Sequence, residues 1–500
     1  MVVAAVVVAV VVGSLTGVGV SGAAPVGPVA AGDLDRFTHQ RLDWQSCHDD
    51  MLDKAGAQCA DVTVPLNYAE PQGRTITVAI SRVRAGDPAH RRGIMMSNPG
   101  GPGGFGLDFT VQLRDSLPTY PWQDYDLIGM DPRGIGRSTP VHCGWPIGNS
   151  LQSAGAGLLE FGKSVATEAD LAARCLIADN GTLPYITTRN TARDMDVIRG
   201  VLGEDRINYF GGSYGTYLGA VFTQMFPGRV DRMVLDSAVD PERYVTGMFE
   251  DMGAPAEAAL DAWADWTAAR DGEYHLGTTR SEVRAVVTGL IRQAARKPLR
   301  IGAYSVDEHW LPTLVFGPLD SADQYGELAA DMRQFAEAAA GAQVQPNPKL
   351  ADDLNQLFNA KPDGYSIEGA DAVLCGDVAQ PRDPVWYWRK IEASRATQPV
   401  FGPLINNISP CAFWRPPVEP PTVVHNAVPA LILQATGDPR TAYQEGVALH
   451  RAMTGSRLVT LQDVIVHGVS FIPSTCVRQA VDTYLRDGTL PTTDLTCRAD

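Results

Sequence analysis

Short apolar runs recur along the first half of the chain, at Ile76–Val83, Gly93–Ser97, Tyr125–Met130, Arg206–Phe210 and Arg232–Asp236, and two more follow near its end, at Ala430–Gln434 and Arg457–Leu461. Stretches of helical periodicity separate them. Runs that are apolar on successive positions suit strands covered by helices on both faces, so the pattern predicts an α/β fold with a mostly parallel central sheet. Between Pro241 and about Pro399 the strand rhythm stops, and amphipathic segments such as Ala254–Arg270, Ser281–Arg296 and Tyr325–Gly341 take over. A return to strands afterwards makes this segment an insertion, expected to stand as a helical cap over the strand ends where such sheets bind ligands. The chain thus divides into a leader over 1–31, a first core segment over 32–240, the cap over 241–399 and a second core segment over 400–500.

The leader changes the picture of where the chain acts. Val2–Val12 is unbroken Val and Ala, followed by small residues at Ser21-Gly22-Ala23 and Val29-Ala30-Ala31 that suit a signal-peptide cleavage site. The run falls short of the roughly 20 apolar residues a spanning helix requires, so no stable membrane insertion is expected after cleavage. Export, with the product free or held at the cell wall, agrees with eight cysteines, an even set. About 105 pairings are possible in principle. Closure between nearest neighbours gives Cys47–Cys59, Cys143–Cys175, Cys375–Cys411 and Cys476–Cys497. With neither a C-x-x-C pair nor H-E-x-x-H, no metal and no cofactor is expected. A net charge of −16 without a basic patch argues against nucleic acid as a partner.

The chemistry concentrates at Gly211-Gly212-Ser213-Tyr214-Gly215, a G-x-S-x-G sequence between the run ending at Phe210 and a helical stretch over Thr216–Phe226. A strand that turns sharply into a helix holds its central residue in strained geometry, needs small neighbours, and projects the hydroxyl from the sheet edge. A serine hydroxyl needs a base within reach and a third group to fix that base's tautomer. Asp438, after Pro429–Ala435 and a turn, is placed to be the acid, although Gly-Asp-Pro is also turn chemistry and Asp438 could cap a helix over Thr441–Met453. His467 follows the next strand and is the one histidine in the right order and place. The developing oxyanion needs backbone donors: the Tyr214 N–H, and one from the glycine-rich loop Asn98–Gly106, where Pro102 has no N–H and Gly101, then Gly100, is preferred.

Taken together, Asn98–Gly104, Asp126–Ser138, the elbow Gly211–Thr216, Cys375-Gly376-Asp377 and the ending Tyr484–Pro491 resemble secreted tripeptidyl aminopeptidases, α/β-hydrolase serine exopeptidases related to prolyl aminopeptidases. The resemblance runs from about Trp44 to Cys497. It implies a triad of Ser213, Asp438 and His467, a helical cap, peptide or protein substrates, and release of short peptides, tripeptides above all, from their N-termini. Three positions depart from the family's pattern: Phe105 after the glycine loop, Val466 before the histidine, and Arg440-Thr441-Ala442 after Asp-Pro. An exopeptidase must recognise a free ammonium, and the carboxylates Asp377, Glu250 and Asp251 are candidates for that charge pairing. A secreted carboxylesterase or lipase would use the same triad, and a catalytically dead hydrolase fold used for binding is the reading that an intact triad opposes.

Overall fold

The computed structural model describes residues 34–359 and 364–500; the leader over 1–31 lies outside the described residues. Its centre is a nine-stranded sheet in the order β1-β2-β4-β3-β5-β6-β9-β10-β11. The strands are β1 (Gln58–Pro65), β2 (Thr75–Val83), β3 (Ile94–Asn98), β4 (Asp126–Met130), β5 (Ile207–Gly212), β6 (Val230–Asp236), β9 (Leu431–Ala435), β10 (Arg457–Leu461) and β11 (Leu495–Cys497). β2 pairs antiparallel with β1 and with β4, and every other pairing in the sheet is parallel. The fold class read from the apolar pattern is therefore the one observed.

Successive residues of a strand face opposite sides, and the two sides here have separate cores. Met96, Ile128, Tyr209, Leu235 and Ile432 pack into one cluster, and their neighbours Met95, Leu127, Phe210, Val234, Leu431 and Leu433 into the other. Burial on both sides explains why these strands are continuous apolar runs. β1 was not legible that way. Its exposed positions alternate with buried ones, as in an edge strand with one wet face, and it includes Asp61 and Thr63.

The chain leaves the sheet after β6 and re-enters it at β9. In between lie helices, the longest being Thr246–Ala268, Arg280–Arg296 and Tyr325–Ala339, and one small antiparallel hairpin of β7 (Leu299–Ile301) and β8 (Tyr304–Val306), which the loss of strand rhythm did not predict. Arg280–Arg296 opens with a capping box: Thr279 accepts from the Glu282 N–H, and the Glu282 side chain accepts from the Thr279 N–H.

The sequence Asp131–Ser138 is framework. The Asp131 carboxylate accepts N–H groups of Gly106, Leu107 and Arg137, fixing the tail of the glycine-rich loop. Arg133, fully buried, donates through Nε and Nη2 to both oxygens of Asp194, at 2.7 and 2.5 Å, and also reaches the carbonyls of Pro65, Leu66 and Tyr185. Such a pair is costly to break, since removing one partner strands the other's charge away from water. Four disulfides join Cys47–Cys59, Cys143–Cys175, Cys375–Cys411 and Cys476–Cys497, with Cα separations of 4.8, 4.3, 4.7 and 5.6 Å. These are the pairs that local closure predicts.

Candidate active site

β5 ends at Gly212, the helix Tyr214–Met225 begins two residues later, and Ser213 between them has φ 54° and ψ −126°. That is a left-handed-side conformation costing a non-glycine residue on the order of 1–3 kcal/mol. The surroundings over-determine it. The Ser213 N–H donates to the Asp236 carbonyl at 2.9 Å, and the Ser213 carbonyl accepts from the Thr216 N–H at 2.8 Å and from Thr216 Oγ1 at 2.7 Å. The flanking glycines are steric necessities. A Cβ on Gly211 would stand 2.5 Å from the Gly215 carbonyl oxygen, and one on Gly215 would stand 2.6 Å from that of Asn98.

The glycine-rich loop passes directly beside this elbow. Gly100 has φ +102°, and a Cβ there would lie 2.8 Å from Ser213 Cβ and 3.1 Å from the Tyr214 nitrogen. The Gly100 N–H is already committed to Asn98 Oδ1 at 3.0 Å. Among the described residues, the N–H groups of Gly101 and Tyr214 donate to no protein acceptor. Tyr214 follows Ser213 directly and Gly101 lines the same cavity, so Gly100 shapes the loop while Gly101 and Tyr214 carry the free donors.

At the neighbouring strand ends, His467 Nδ1 lies 3.0 and 3.1 Å from the two carboxylate oxygens of Asp438. Asp438 is buried and also accepts the N–H groups of Arg440 and Thr441 at 2.8 and 2.9 Å and the Thr441 hydroxyl at 3.0 Å. Turn residue and imidazole partner are thus one and the same carboxylate. Burial works against the His467 imidazolium, but the Asp438 charge and hydrogen bond outweigh it, and the imidazole pKa is raised above its ordinary value. The Nδ1 contact leaves Nε2 for other partners. Among the described residues the Ser213 hydroxyl has no hydrogen-bond partner, and no bond joins it to His467; both residues line one cavity of about 680 Å³.

Sequence reasoning missed what fixes the histidine loop. The Asp236 carboxylate, at the end of β6, accepts the N–H groups of Val469 and Ser470, each at 2.8 Å, and the Ser237 hydroxyl accepts that of Gly468 at 2.8 Å. From the other side, the His467 N–H donates to the carbonyl of Asp320, a residue of the insertion, at 2.8 Å. Arg440 pairs with the Asp320 carboxylate and donates to the carbonyls of Phe316 and Gly317.

Phe249, Leu314, Phe316 and Tyr387 of the insertion, among others, line the cavity together with Gly101, Ser213 and His467 from the core. Of the three acidic candidates, only Glu250 lines it, and Glu250 already faces Lys390 at 2.9 Å and Arg243 at 3.6 Å. Asp251 is outside the lining and ion-paired to Arg243. Asp377 is buried behind the wall, where it accepts from the Thr188 N–H and hydroxyl and from Tyr244; burial pushes its pKa up to about 7. The carboxyl that does reach the cavity without a cationic partner among the described residues is Asp371. It accepts from the Ser150 hydroxyl at 2.7 Å, and burial raises its pKa to about 7. It lies in the same helix as Asp377, Ile367–Asp377.

Residues 398–497 match the family described as TAP-like protein. The chain is 34% identical to the tripeptidyl aminopeptidase of Streptomyces lividans, over 92% of this chain and 87% of that protein. It is 28% identical to the serine protease Hip1 of Mycobacterium tuberculosis, over 92% and 91% of the two chains, and 30% identical to carboxylesterase B of the same organism, over 91% and 89%. With the α/β sheet and the serine elbow in place, these relationships settle the family: the chain belongs to the tripeptidyl aminopeptidase-like serine peptidases of the α/β-hydrolase fold.

Proposed function

We propose that this protein is an exported serine exopeptidase that releases tripeptides from the N-termini of peptides and proteins through an acyl-enzyme. The observation that supports the reading is that Ser213 and the Asp438-held His467 line one cavity whose wall also bears Asp371, a buried carboxyl. Ser213 Oγ attacks the scissile carbonyl carbon while His467 Nε2 takes the hydroxyl proton. The carbonyl oxygen becomes an oxyanion held by the N–H groups of Tyr214 and Gly101. His467 then gives its proton to the leaving amine, which departs as the shortened peptide. Water attacks the ester left on Ser213, His467 takes the water's proton and returns one to Oγ, and the tripeptide leaves with a new carboxylate. Bringing Oγ and Nε2 into contact falls to substrate binding, as is common for catalytic hydrogen bonds.

Asp371 would receive the substrate's ammonium. Burial favours its neutral form when the site lacks a cation, and an arriving ammonium restores the charge. Four disulfides and the leader's composition support action outside the cytosol.

Kinetics on a tripeptidyl p-nitroanilide, its N-acetylated form and a short acyl ester test the reading. Hydrolysis of the free peptide anilide should vanish in Ser213→Ala and fall strongly on acetylation. Asp371→Asn should raise KM for the free substrate and leave the acetylated one unchanged. The similarity to carboxylesterase B makes an esterase the second reading, and efficient ester cleavage with no anilide cleavage would establish it in place of the first.

A further inference from the structure

Away from the triad, the segment Ser150–Gly155 passes between the helix Leu158–Ala178 and the residues just before the helix Leu311–Phe316. Three side chains converge there: Glu160, Glu308 and His309. One ligand atom from each lies within 4.8 Å of the other two. Residues Glu308 and His309 are 4% and 9% exposed.

The tautomer of His309 is legible from its partners. Nδ1 stands 2.6 Å from the carbonyl oxygen of Ser153, an acceptor only, so Nδ1 carries a proton and donates it. A backbone carbonyl on one ring nitrogen is the arrangement that orients a metal-ligating imidazole and raises the basicity of the other nitrogen. Nε2 has no hydrogen-bond partner among the described residues and lies 3.5 Å from Glu160 Oε2. In the neutral ring this sets a lone pair against a carboxylate, a contact relieved either by a second proton on the imidazole or by a metal ion between the two. Lys163 Nζ touches the same Glu160 oxygen at 2.7 Å, but its side chain is largely exposed and easily displaced. The wall is backbone: Gly155, at φ +74°, leaves room where a Cβ would come within 2.6 Å of Glu160 Cβ, 3.1 Å of His309 Cε1 and 3.3 Å of Glu308 Cδ.

We propose that Glu160, Glu308 and His309 form a binding site for a divalent metal ion of the zinc class. One imidazole with two carboxylates suits zinc and its first-row neighbours, whereas calcium prefers an all-oxygen shell of six to eight ligands. The role is structural. Ser150, Leu151 and Gln152 line the substrate cavity, as do Leu314 and Phe316 from the helix after His309. An ion here fastens the core segment to the insertion and fixes one wall of the cavity.

The test uses chelator-treated, full-length protein titrated calorimetrically with zinc chloride and, in parallel, calcium chloride, and metal analysis after dialysis. One equivalent of zinc should bind, raise the melting temperature, and be lost in His309→Gln. His467→Ala keeps it, which separates this site from the triad imidazole. Glu160→Gln, at a partly exposed position that should not disturb folding, should weaken zinc at least about tenfold. Cobalt(II) should give visible ligand-field absorption that disappears in His309→Gln. The proposal is overturned if no stoichiometric zinc binds, if binding survives His309→Gln and Glu160→Gln, if it disappears in His467→Ala, or if calcium alone binds.

Discussion

On the proposed mechanism, the pair His467–Asp438 sets the pH at which the protein works. The base must be neutral to accept the Ser213 proton, so kcat/KM falls as pH drops through the imidazole pKa. Because the Asp438 charge holds that pKa above the ordinary value near 6.5, the acid limb should lie above pH 6.5. In Asp438→Asn the charge that favours the imidazolium is gone, while burial, which disfavours it, remains. The limb should move to lower pH and kcat should fall by on the order of 10⁴-fold, through loss of the correct tautomer. A pH–rate profile of the variant checks both, and a limb that stays in place would mean that Asp438 does not set the base's charge state.

At the scale of elements, the elbow and the histidine loop converge on one residue, Asp236. Its carbonyl holds the Ser213 N–H, and its carboxylate holds the N–H groups of Val469 and Ser470. Asn at this position has one acceptor where two donors wait, so Asp236→Asn leaves an N–H unsatisfied at about 1–3 kcal/mol. It should lower kcat with little change in KM and slow labelling of Ser213 by a fluorophosphonate, whereas an effect on folding stability alone would leave the labelling rate of the native fraction unchanged. Ser213, Asp438 and His467 could be singled out in the sequence because each follows a strand of continuous apolar residues, and motif and strand end reinforce one another. Asp236 could not be read this way, because it looks like any polar residue closing a strand and its role arises from a loop far along the chain. The same limit explains Asp371. Asp377 stands out in Cys375-Gly376-Asp377, but only the helix's orientation shows which of its carboxyls reaches the cavity. Nor did motif spacing reveal Glu160 with Glu308 and His309, which meet only through the packing of the insertion on the core.

Across the whole molecule, the three positions that depart from the family's pattern all lie where the core touches the insertion. The Phe105 N–H donates to the Gly364 carbonyl, Val466 bridges Ser321, and Arg440 pairs with Asp320. The insertion is thereby tied to the loop bearing His467. In Arg440→Met, hydrogen–deuterium exchange should quicken together in 316–321 and 464–469, since the Asp320 carbonyl also holds the His467 N–H. Quickening confined to 316–321 would show that the two segments move independently. The strand order has one more consequence. Ser213 follows β5, but Asp438 and His467 follow β9 and β10, separated from it by the entire insertion. On the proposed mechanism, a polypeptide still under synthesis holds a serine with neither proton acceptor nor orienting acid, so proteolytic competence would arrive only with the last stretch of translation.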